Sequence, residues 1–241
     1  MRATYSNSKW RCFLTGAILT AAFAAGVPAN AADPDLAPLP LNLPLPTLKG
    51  TPEDLPKGPN IEALTDKARP AFLAPKGARN VALNKKVTAS DRNPITGQLS
   101  QITDGQKEAF DDQVVEMRKG VQWVQVDLGE MCEIYAVVIW HDHRLIQAFR
   151  SVVVQAADDP DFIENVTVLF NNDTENVAGL GIGFDKQYFE TLQGKLIPVK
   201  NGLRTRYLRF YSRGSNSSAF NCYQEIEVYG QPVKKQDVVS Q

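Results

Sequence analysis

This chain of 241 residues has few cysteines, almost no net charge and few long apolar runs. A formal net charge of −1 leaves no excess of Lys and Arg, which removes the usual basis for binding nucleic acid. Beyond the first thirty residues no apolar stretch reaches the roughly 20 residues of a membrane span, so we expect none in the mature protein. With 43% hydrophobic residues the chain can still bury a substantial core.

The first thirty-one residues have the pattern of a secretory signal. Arg2, Lys9 and Arg11 precede an apolar stretch over 12–27, and Ala29-Asn30-Ala31 offers small residues for cleavage. We therefore predict a signal peptide over 1–31, cleaved after Ala31, and a secreted or periplasmic protein.

Cysteine is rare in the mature chain, which keeps only Cys132 and Cys222. Disulfides persist outside the cytoplasm, but sequence alone does not show that these two residues come within bonding range. Two interpretations stay open, one disulfide or two buried free thiols.

Proline is concentrated in residues 32–78, where it excludes helix and sheet interiors. The Leu-Pro alternation from Leu39 to Leu45 favours extended chain, so we expect a linker or an arm whose leucines lie against the domain. Residues Ile61 to Lys67 are long enough for one short helical turn.

Short β-rich runs follow, separated by Gly, Asn, Asp and Pro, which is typical of an all-β sandwich or barrel. Val124, Val126 and Leu128 alternate with polar residues, as in a strand with one buried face. Residues 134–140 are apolar almost throughout, as in a central strand. The predicted strands are Val87–Ser90, Val121–Leu128, Glu133–His141, Ser151–Ala157, Thr167–Phe170, Leu196–Val199, Arg206–Ser212 and Gln224–Tyr229.

Seven segments in order resemble the discoidin family, the coagulation factor 5/8 type C domains that include family 32 carbohydrate-binding modules. They are 80–90, Ile102-Thr103-Asp104-Gly105, 122–129, 134–140, 152–159, 206–211 and 225–230. The resemblance implies an eight-stranded jelly-roll β-sandwich, galactose-binding-domain-like, over 79–230, with ligand loops at one end. Residues 231–241 would form a tail.

The resemblance also implies a structural calcium site. Asp104, Gln106 and Glu225 would supply side-chain oxygens, and Gln101, Ala109 and Gln224 would supply backbone carbonyls, which is the donor mixture that calcium prefers. Ala109 departs from the family, which often has Thr or Ser there. The alternative is that Asp104 caps a turn with Gly105 and Glu225 is a surface residue.

A second group of polar residues follows the central strand and is our candidate ligand site. Relatives that bind sugars use Arg or His against hydroxyls and an aromatic ring on the apolar sugar face. The candidate ligand-binding residues are His141, Asp142, His143, Arg144, Asn171, Asn172, Phe220, Asn221 and Tyr223.

The chain departs from sugar-binding relatives at Asp111 and Asp112, where Trp-His is common. These carboxylates with His141 and His143 would suit a transition metal, and a plain solvated loop is the other alternative.

Two further features have simple interpretations. We expect the arginines at 204, 206, 209 and 213 to be mostly solvent-facing sheet residues, and the glycines of 179–183 to let a long loop turn tightly.

No nucleophile-elbow motif or catalytic cysteine signature is present. We therefore predict a non-catalytic module that binds carbohydrate, an extracellular or cell-wall glycan. The alternative is a protein-interaction or structural domain of an envelope or extracellular assembly.

Overall fold

The structure is a computed structural model that describes residues 35–46, 55–108 and 110–234. The predicted signal peptide, most of the predicted tail and the predicted calcium ligand Ala109 lie outside these ranges. The described residues form one short 3-10 helix, Leu99–Thr103, and thirteen strands. The strands are β1 (Leu36–Pro38), β2 (Leu73–Pro75), β3 (Arg79–Asn80), β4 (Lys86–Ala89), β5 (Val115–Met117), β6 (Gln122–Trp140), β7 (Ala148–Phe149), β8 (Val153–Ala157), β9 (Thr167–Asn171), β10 (Tyr188–Phe189), β11 (Lys195–Ser212), β12 (Asn221–Tyr223) and β13 (Glu225–Pro232).

All strand pairs are antiparallel. The largest sheet has seven strands in the order β3-β13-β6-β11-β8-β9, with β4 paired to β6, and the pairs β1-β2, β7-β10 and β5-β12 form two-stranded sheets. The predicted all-β sandwich class is therefore confirmed.

Two strands are longer than the sequence patterns predicted. β6 joins two predicted strands into 19 residues, with Gly129 (φ 83°) at the joint. Its first half pairs with β4 and the end of β11, and its second half pairs with β13 and the start of β11. β11 likewise joins two predicted strands through an irregular stretch between Pro198 and Leu203. Each long strand thus pairs with different neighbours along its two halves.

One hydrophobic core receives side chains from both halves of β6. The predicted inward face of its first half, Val124, Val126 and Leu128, is completely buried, as are Val137 and Ile139 of its second half. A register irregularity between Tyr229 and Gly230, opposite Tyr135, shifts the alternation within the second half of β6, so that Ile134 and Val137 both face the core. Val and Ile suit this position because β-branched side chains pack well on a pleated surface.

The second face of β6 is covered by the Pro-rich segment. Ala136, Val138 and Trp140 face away from the main core and form a second cluster with Leu39 and Ala74. This explains why the sequence is apolar throughout 134–140, since the strand is buried on both faces. The leucine prediction is confirmed for Leu39, which is 9% exposed.

Hydrogen bonds hold other described residues of the N-terminal segment. The predicted helical turn over Ile61–Lys67 is wrong, because Ile61 instead forms a parallel bridge with Gln187. Arg69 donates to the carbonyls of Gly194 and Gln193, at 2.9 and 2.8 Å. Proline-free stretches of this segment therefore dock onto the 187–195 region without becoming helical.

In the part of the chain that the structure describes, Cys132 and Cys222 are both buried and form no disulfide. Burial raises the pKa of the Cys222 thiol to about 12. Of the two interpretations left open, the structure has the free thiols. Among the described residues, no helix is long and apolar enough to cross a membrane.

Candidate functional site

A concave surface lies where four loops meet, at the ends of β5, β7, β9 and β11. It is a pocket of about 710 Å³, within the roughly 300–1,000 Å³ usual for small-molecule sites. Its lining is mostly hydroxyl, amide and charged groups. The lining residues are Pro56, Lys119, Gly120, Arg150, Ser151, Asn172, Asp173, Thr174, Glu175, Gln187, Arg213, Ser215, Asn216, Ser217, Ser218 and Ala219.

Asn221, at the start of β12, ties two of these loops together. Its side-chain oxygen accepts hydrogen bonds from the Ser212 hydroxyl (2.8 Å) and the Gly214 amide (2.9 Å). Its side-chain nitrogen donates to the carbonyls of Arg118 (2.8 Å) and Gly120 (2.9 Å). The four bonds use the full capacity of this buried amide, so Asn221 shapes the pocket wall and has no free group for a ligand.

Asn172, just after β9, joins the loop after β9 to the connection between β7 and β8. Its side-chain oxygen accepts from the Val152 amide at 2.7 Å, and its side-chain nitrogen donates to the Phe149 carbonyl at 3.4 Å. Next to it, the hydroxyls of Ser215 and Ser217 both donate to the side-chain oxygen of Gln147, each at 2.7 Å. The pocket therefore has a floor held by hydrogen bonds before any ligand arrives.

Cationic side chains reach this pocket from three loops. Lys119, Arg150 and Arg213 are all exposed, and none forms an ion pair within the described residues. The ammonium of Lys119 lies 5.0 Å from the centroid of the Phe220 ring, a cation–π distance. Phe220 is half-buried beside the pocket, which keeps it as a candidate aromatic surface.

Acidic groups lie on the 172–175 loop. Asp173 is buried, and its Oδ2 accepts from the Ala178 amide at 2.7 Å. Its Oδ1 is also buried and has no hydrogen-bond partner among the described residues. Glu175 on the same loop is exposed. The pocket thus combines hydrogen-bond acceptors on one loop with cations on three others.

Asn171 also has a role inside the fold. Its side-chain oxygen accepts from the Asp173 amide (2.8 Å) and its side-chain nitrogen donates to the Gly181 carbonyl (3.1 Å). The glycines of this loop behave as the sequence predicted, because Gly179 and Gly181 have φ of 72° and 96°. Asn171 shapes the long loop and does not line the pocket.

His141 and Tyr223 are core residues in this structure. The ring of His141 is fully buried and stacks on Phe149 with centroids 4.0 Å apart. Its Nδ1 donates to the Cys222 carbonyl at 2.7 Å, and its Nε2 accepts from the Tyr188 hydroxyl at 3.1 Å. Burial lowers the pKa of His141 to about 4, so the ring is neutral near pH 7.

Tyr223 is completely buried, and its hydroxyl bonds Ser212 and the Phe210 carbonyl. Neither ring face is available to a sugar at the surface. The sequence could not separate these residues from ligand contacts, because a polar residue that ends a buried strand looks the same in both roles.

The remaining candidates, Asp142, His143 and Arg144, form a separate polar cluster. The Arg144 guanidinium binds both oxygens of Asp142, at 2.8 and 2.7 Å, and also pairs with Asp111. Burial is the largest single effect on the pKa of Asp142 and raises it. The hydrogen bonds and charge of Arg144 together outweigh burial, so the pKa lies below its ordinary value. Arg144 is therefore saturated by carboxylates.

His143 is buried, and its Nε2 donates to the Lys107 carbonyl at 2.8 Å, while its Nδ1 has no partner in the described ranges. Within residues 35–46, 55–108 and 110–234, no group of three or more His, Cys, Asp or Glu side chains is arranged to hold a metal ion. Geometry therefore gives the transition-metal alternative no support.

Among the predicted calcium residues that the structure describes, Asp104, Gln106, Gln224 and Glu225 lie close to one another. The Gly105 amide donates to Glu225 Oε1 at 3.1 Å, which joins the Asp-Gly loop to β13. Asp104 Oδ1 caps this loop by accepting from the Gln106 amide at 2.8 Å. The side chain of Gln224 donates to the Gln106 carbonyl at 3.3 Å. Gln101 is one turn earlier, in the 3-10 helix, and its carbonyl faces the Asp104 amide.

Sequence reasoning missed Arg150 and Gln147, and it gave Arg213 only a surface role. Arg206 pairs with Asp127, and Arg209 binds Gln125 while stacking near Trp123, so these two arginines are structural parts of the sheet. Arg213 lies just beyond the end of β11, where a strand residue becomes a loop residue. No local signal links it to Arg150, since the two are brought together only by the fold.

No family model matches the chain, and no curated protein matches it by sequence. Among solved structures, chitosan-binding module 1 from a chitosanase/glucanase of Paenibacillus sp. IK-5 has a TM-score of 0.45 and 21% identity, covering 63% of this chain and 99% of that one.

The Streptococcus pneumoniae fucose-binding module SpX-3 has a TM-score of 0.43 and 17% identity, covering 63% of this chain and 97% of that one. The fucolectin of striped bass (Morone saxatilis) serum has a TM-score of 0.43 and 17% identity, covering 65% of this chain and 50% of that one.

Proposed function

We propose that this chain is a secreted, non-catalytic module that binds carbohydrate in the pocket where its four loops meet. The observation that carries the proposal is the hydrogen-bonded, largely polar lining of a cavity of about 710 Å³. Sugars present many hydroxyls, and fixed donors and acceptors recognise them best when they need no reorganisation on binding. The sequence resemblance to discoidin domains supports the same function.

A pocket-filling variant tests this proposal. Ala219 is exposed on the pocket wall, so Ala219→Trp places a large ring where the ligand would sit. We expect a glycan array and affinity electrophoresis to show binding by the wild-type protein and at least about tenfold weaker binding by the variant. Val168→Trp is a matched control, since Val168 is 47% exposed on β9 and lies outside the pocket. Equal binding by both variants would place the sugar elsewhere, and silence across neutral and acidic glycans would defeat the proposal.

We further propose a structural calcium ion between the Asp-Gly loop and β13. Glu225 Oε2 and Gln224 Oε1 are buried without a hydrogen-bond partner in the described part of the chain, so each has capacity for a cation. Burial, followed by the Glu227 carboxylate, raises the pKa of Glu225 to about 10, as expected for acids that lack a compensating charge.

The donor set fits calcium, which takes carboxylate, carbonyl and amide oxygens. Asp104 and Glu225 would supply charge, and Gln106 and backbone carbonyls would complete the shell. Lys107 already neutralises the neighbouring Glu227 at 2.6 Å, which leaves Asp104 and Glu225 for the ion. When bound, the ion would link two segments of the chain and perform no chemistry.

A protein-interaction domain is the second candidate, and exposed apolar side chains favour it. Phe184 is 95% exposed and Ile163 is 79% exposed. The Pro-rich segment suits this role less than the sequence suggested, because Leu39 is buried against the chain's own sheet. Pull-down from an envelope fraction with Phe184→Ser protein tests it, with loss of a specific partner as the expected outcome.

A further inference from the structure

We propose that the sugar taken by this pocket carries a carboxylate, so that the ligand is a glycan containing uronic acid. The inference rests on the proposed function and deepens it. Its basis is the arrangement of charges around the pocket, in which cations and acceptors occupy different loops.

Arg150 and Arg213 are held side by side by their backbones. The Arg213 amide donates to the Arg150 carbonyl at 3.1 Å, and the Arg150 amide donates to the Gly214 carbonyl at 3.1 Å. Both arginines line the pocket with exposed side chains, and neither has a carboxylate partner among the described residues. Adjacent like charges repel, so two neighbouring arginines form a natural site for an anion that bridges them.

Guanidinium groups favour a carboxylate because their planar fork matches its two oxygens. Lys119 adds a third positive charge from another loop, at the pocket margin beside Phe220. A neutral sugar would leave all three cations without an anionic partner. The cationic side of the pocket is thus complementary to one acidic group.

Asp173 and Glu175 restrict the rest of the ligand. The exposed carboxylate of Glu175 suits a hydroxyl donor, and the buried Asp173 adds negative charge to the same side of the pocket. Both carboxylates would repel a second negative group placed on their side of the pocket. A sugar with one carboxylate and several hydroxyls satisfies both sides, whereas a densely sulfated polymer satisfies the cations alone.

Calorimetric titration tests the inference with paired ligands. Oligogalacturonate and oligomannuronate are compared with the same oligosaccharides after reduction of each carboxyl to a primary alcohol. We expect the wild-type protein to bind at least one uronate series about tenfold or more tightly than its reduced counterpart, the scale of a charge-assisted hydrogen bond. The difference should shrink as sodium chloride screens the charges.

The double variant Arg150→Gln/Arg213→Gln should lose this preference and bind uronate only as tightly as it binds the reduced sugar. Arg204→Gln is the matched control, since Arg204 is exposed on β11 nine positions before Arg213 and should keep the preference. Thermal unfolding of each variant checks the fold, and the wild-type comparison of paired ligands does not depend on any variant.

Three outcomes would overturn the inference. Equal binding of reduced and acidic oligosaccharides would leave a carbohydrate-binding module without uronate specificity. Dextran sulfate binding as tightly as uronate would indicate a general polyanion site. Failure to bind any oligosaccharide of either series, together with silence on the glycan array, would remove the proposed function as well.

Discussion

Glu190 is a carboxylic acid placed where its charge is unfavourable. The side chain is completely buried, its Oε2 accepts from the His141 amide at 3.2 Å, and its Oε1 has no partner within the described ranges. Burial raises the pKa of Glu190 to about 8. Near neutral pH the folded protein therefore holds a proton that the unfolded chain, with the ordinary value of 4.5, has released.

Because the folded state binds more protons in this interval, the free energy of unfolding should fall as pH rises from about 4.5 to about 8. Glu190→Gln keeps a neutral side chain of similar shape, so its stability should depend less on pH across this window. Urea denaturation at several pH values measures the effect, with Glu175→Gln on an exposed residue as the control. Curves for wild-type and Glu190→Gln protein that stay parallel from pH 4.5 to 8 would contradict the prediction.

At the residue scale, the sequence identified residues near the loop end but assigned several of them the wrong surroundings. His141 and Tyr223 look like ligand contacts because they are polar, aromatic and near strand ends. The ring of His141 packs against Phe149, Tyr188 and Tyr223, which all lie in other strands. Whether a side chain faces solvent or another loop is a property of the packed fold, so no local pattern carries it.

At the scale of elements, the Pro-rich segment acts as a cover for β6. Leu39 packs against Val138, Trp140 and Tyr229, and β1 pairs with β2 through residues 36–38. The Tyr229 hydroxyl also donates to the Pro40 carbonyl at 3.4 Å. Without this segment the outer face of the central strand would expose apolar surface, which invites aggregation.

Leu39→Ala should therefore lower the free energy of unfolding by about 2 kcal/mol, the lower end for a buried leucine because the segment can adjust. Hydrogen exchange at residues 36–41 should accelerate with it. Leu45→Ala is the matched control, since Leu45 is 70% exposed and should change neither quantity. A Leu39→Ala protein as stable as wild type, with unchanged exchange, would mean that the segment contributes nothing to the fold.

Strand patterns were predicted well where alternation was local and less well where strands bend. The sequence separated 121–128 from 133–141 because Gly129 and Glu130 interrupt the apolar pattern. In the structure both halves belong to β6 and both pair with β11, although the register shifts between Thr205 and Tyr207, opposite the bend. The short strands β7, β10 and β12 have too few residues for any periodicity to reveal them.

At the scale of the whole molecule, the proposed calcium ion would join segments that are far apart in sequence. Gly105 and Glu225 are 120 positions apart and already share one hydrogen bond. A ligand that binds only the folded state stabilises it by mass action. Calcium at about one hundred times its Kd should therefore raise Tm by roughly 5 °C or more relative to protein in chelator.

Glu225→Gln should abolish this response. Without calcium the variant should be at least as stable as wild type near pH 7, because a buried acid whose pKa is about 10 is protonated and its amide analogue carries no charge. Glu130→Gln, on an exposed residue, should keep the calcium response. Unchanged melting of wild-type protein in calcium and in chelator, with no metal found by elemental analysis, would exclude the site.

The fold class follows from the sequence alone, because Val, Ile and Leu that alternate with polar residues share one face in a strand of a sheet. The position of the Asp-Gly loop that bonds Glu225 follows from the sequence as well. Which polar groups remain available to a ligand depends instead on tertiary contacts. Arg150 and Arg213 share a pocket because β7 and β11 end at the same place. His141, Asn171 and Asn221 instead form their hydrogen bonds with other groups of the protein. Whether a polar side chain can bind a ligand depends on which partners folding brings next to it, and these partners are distant in sequence.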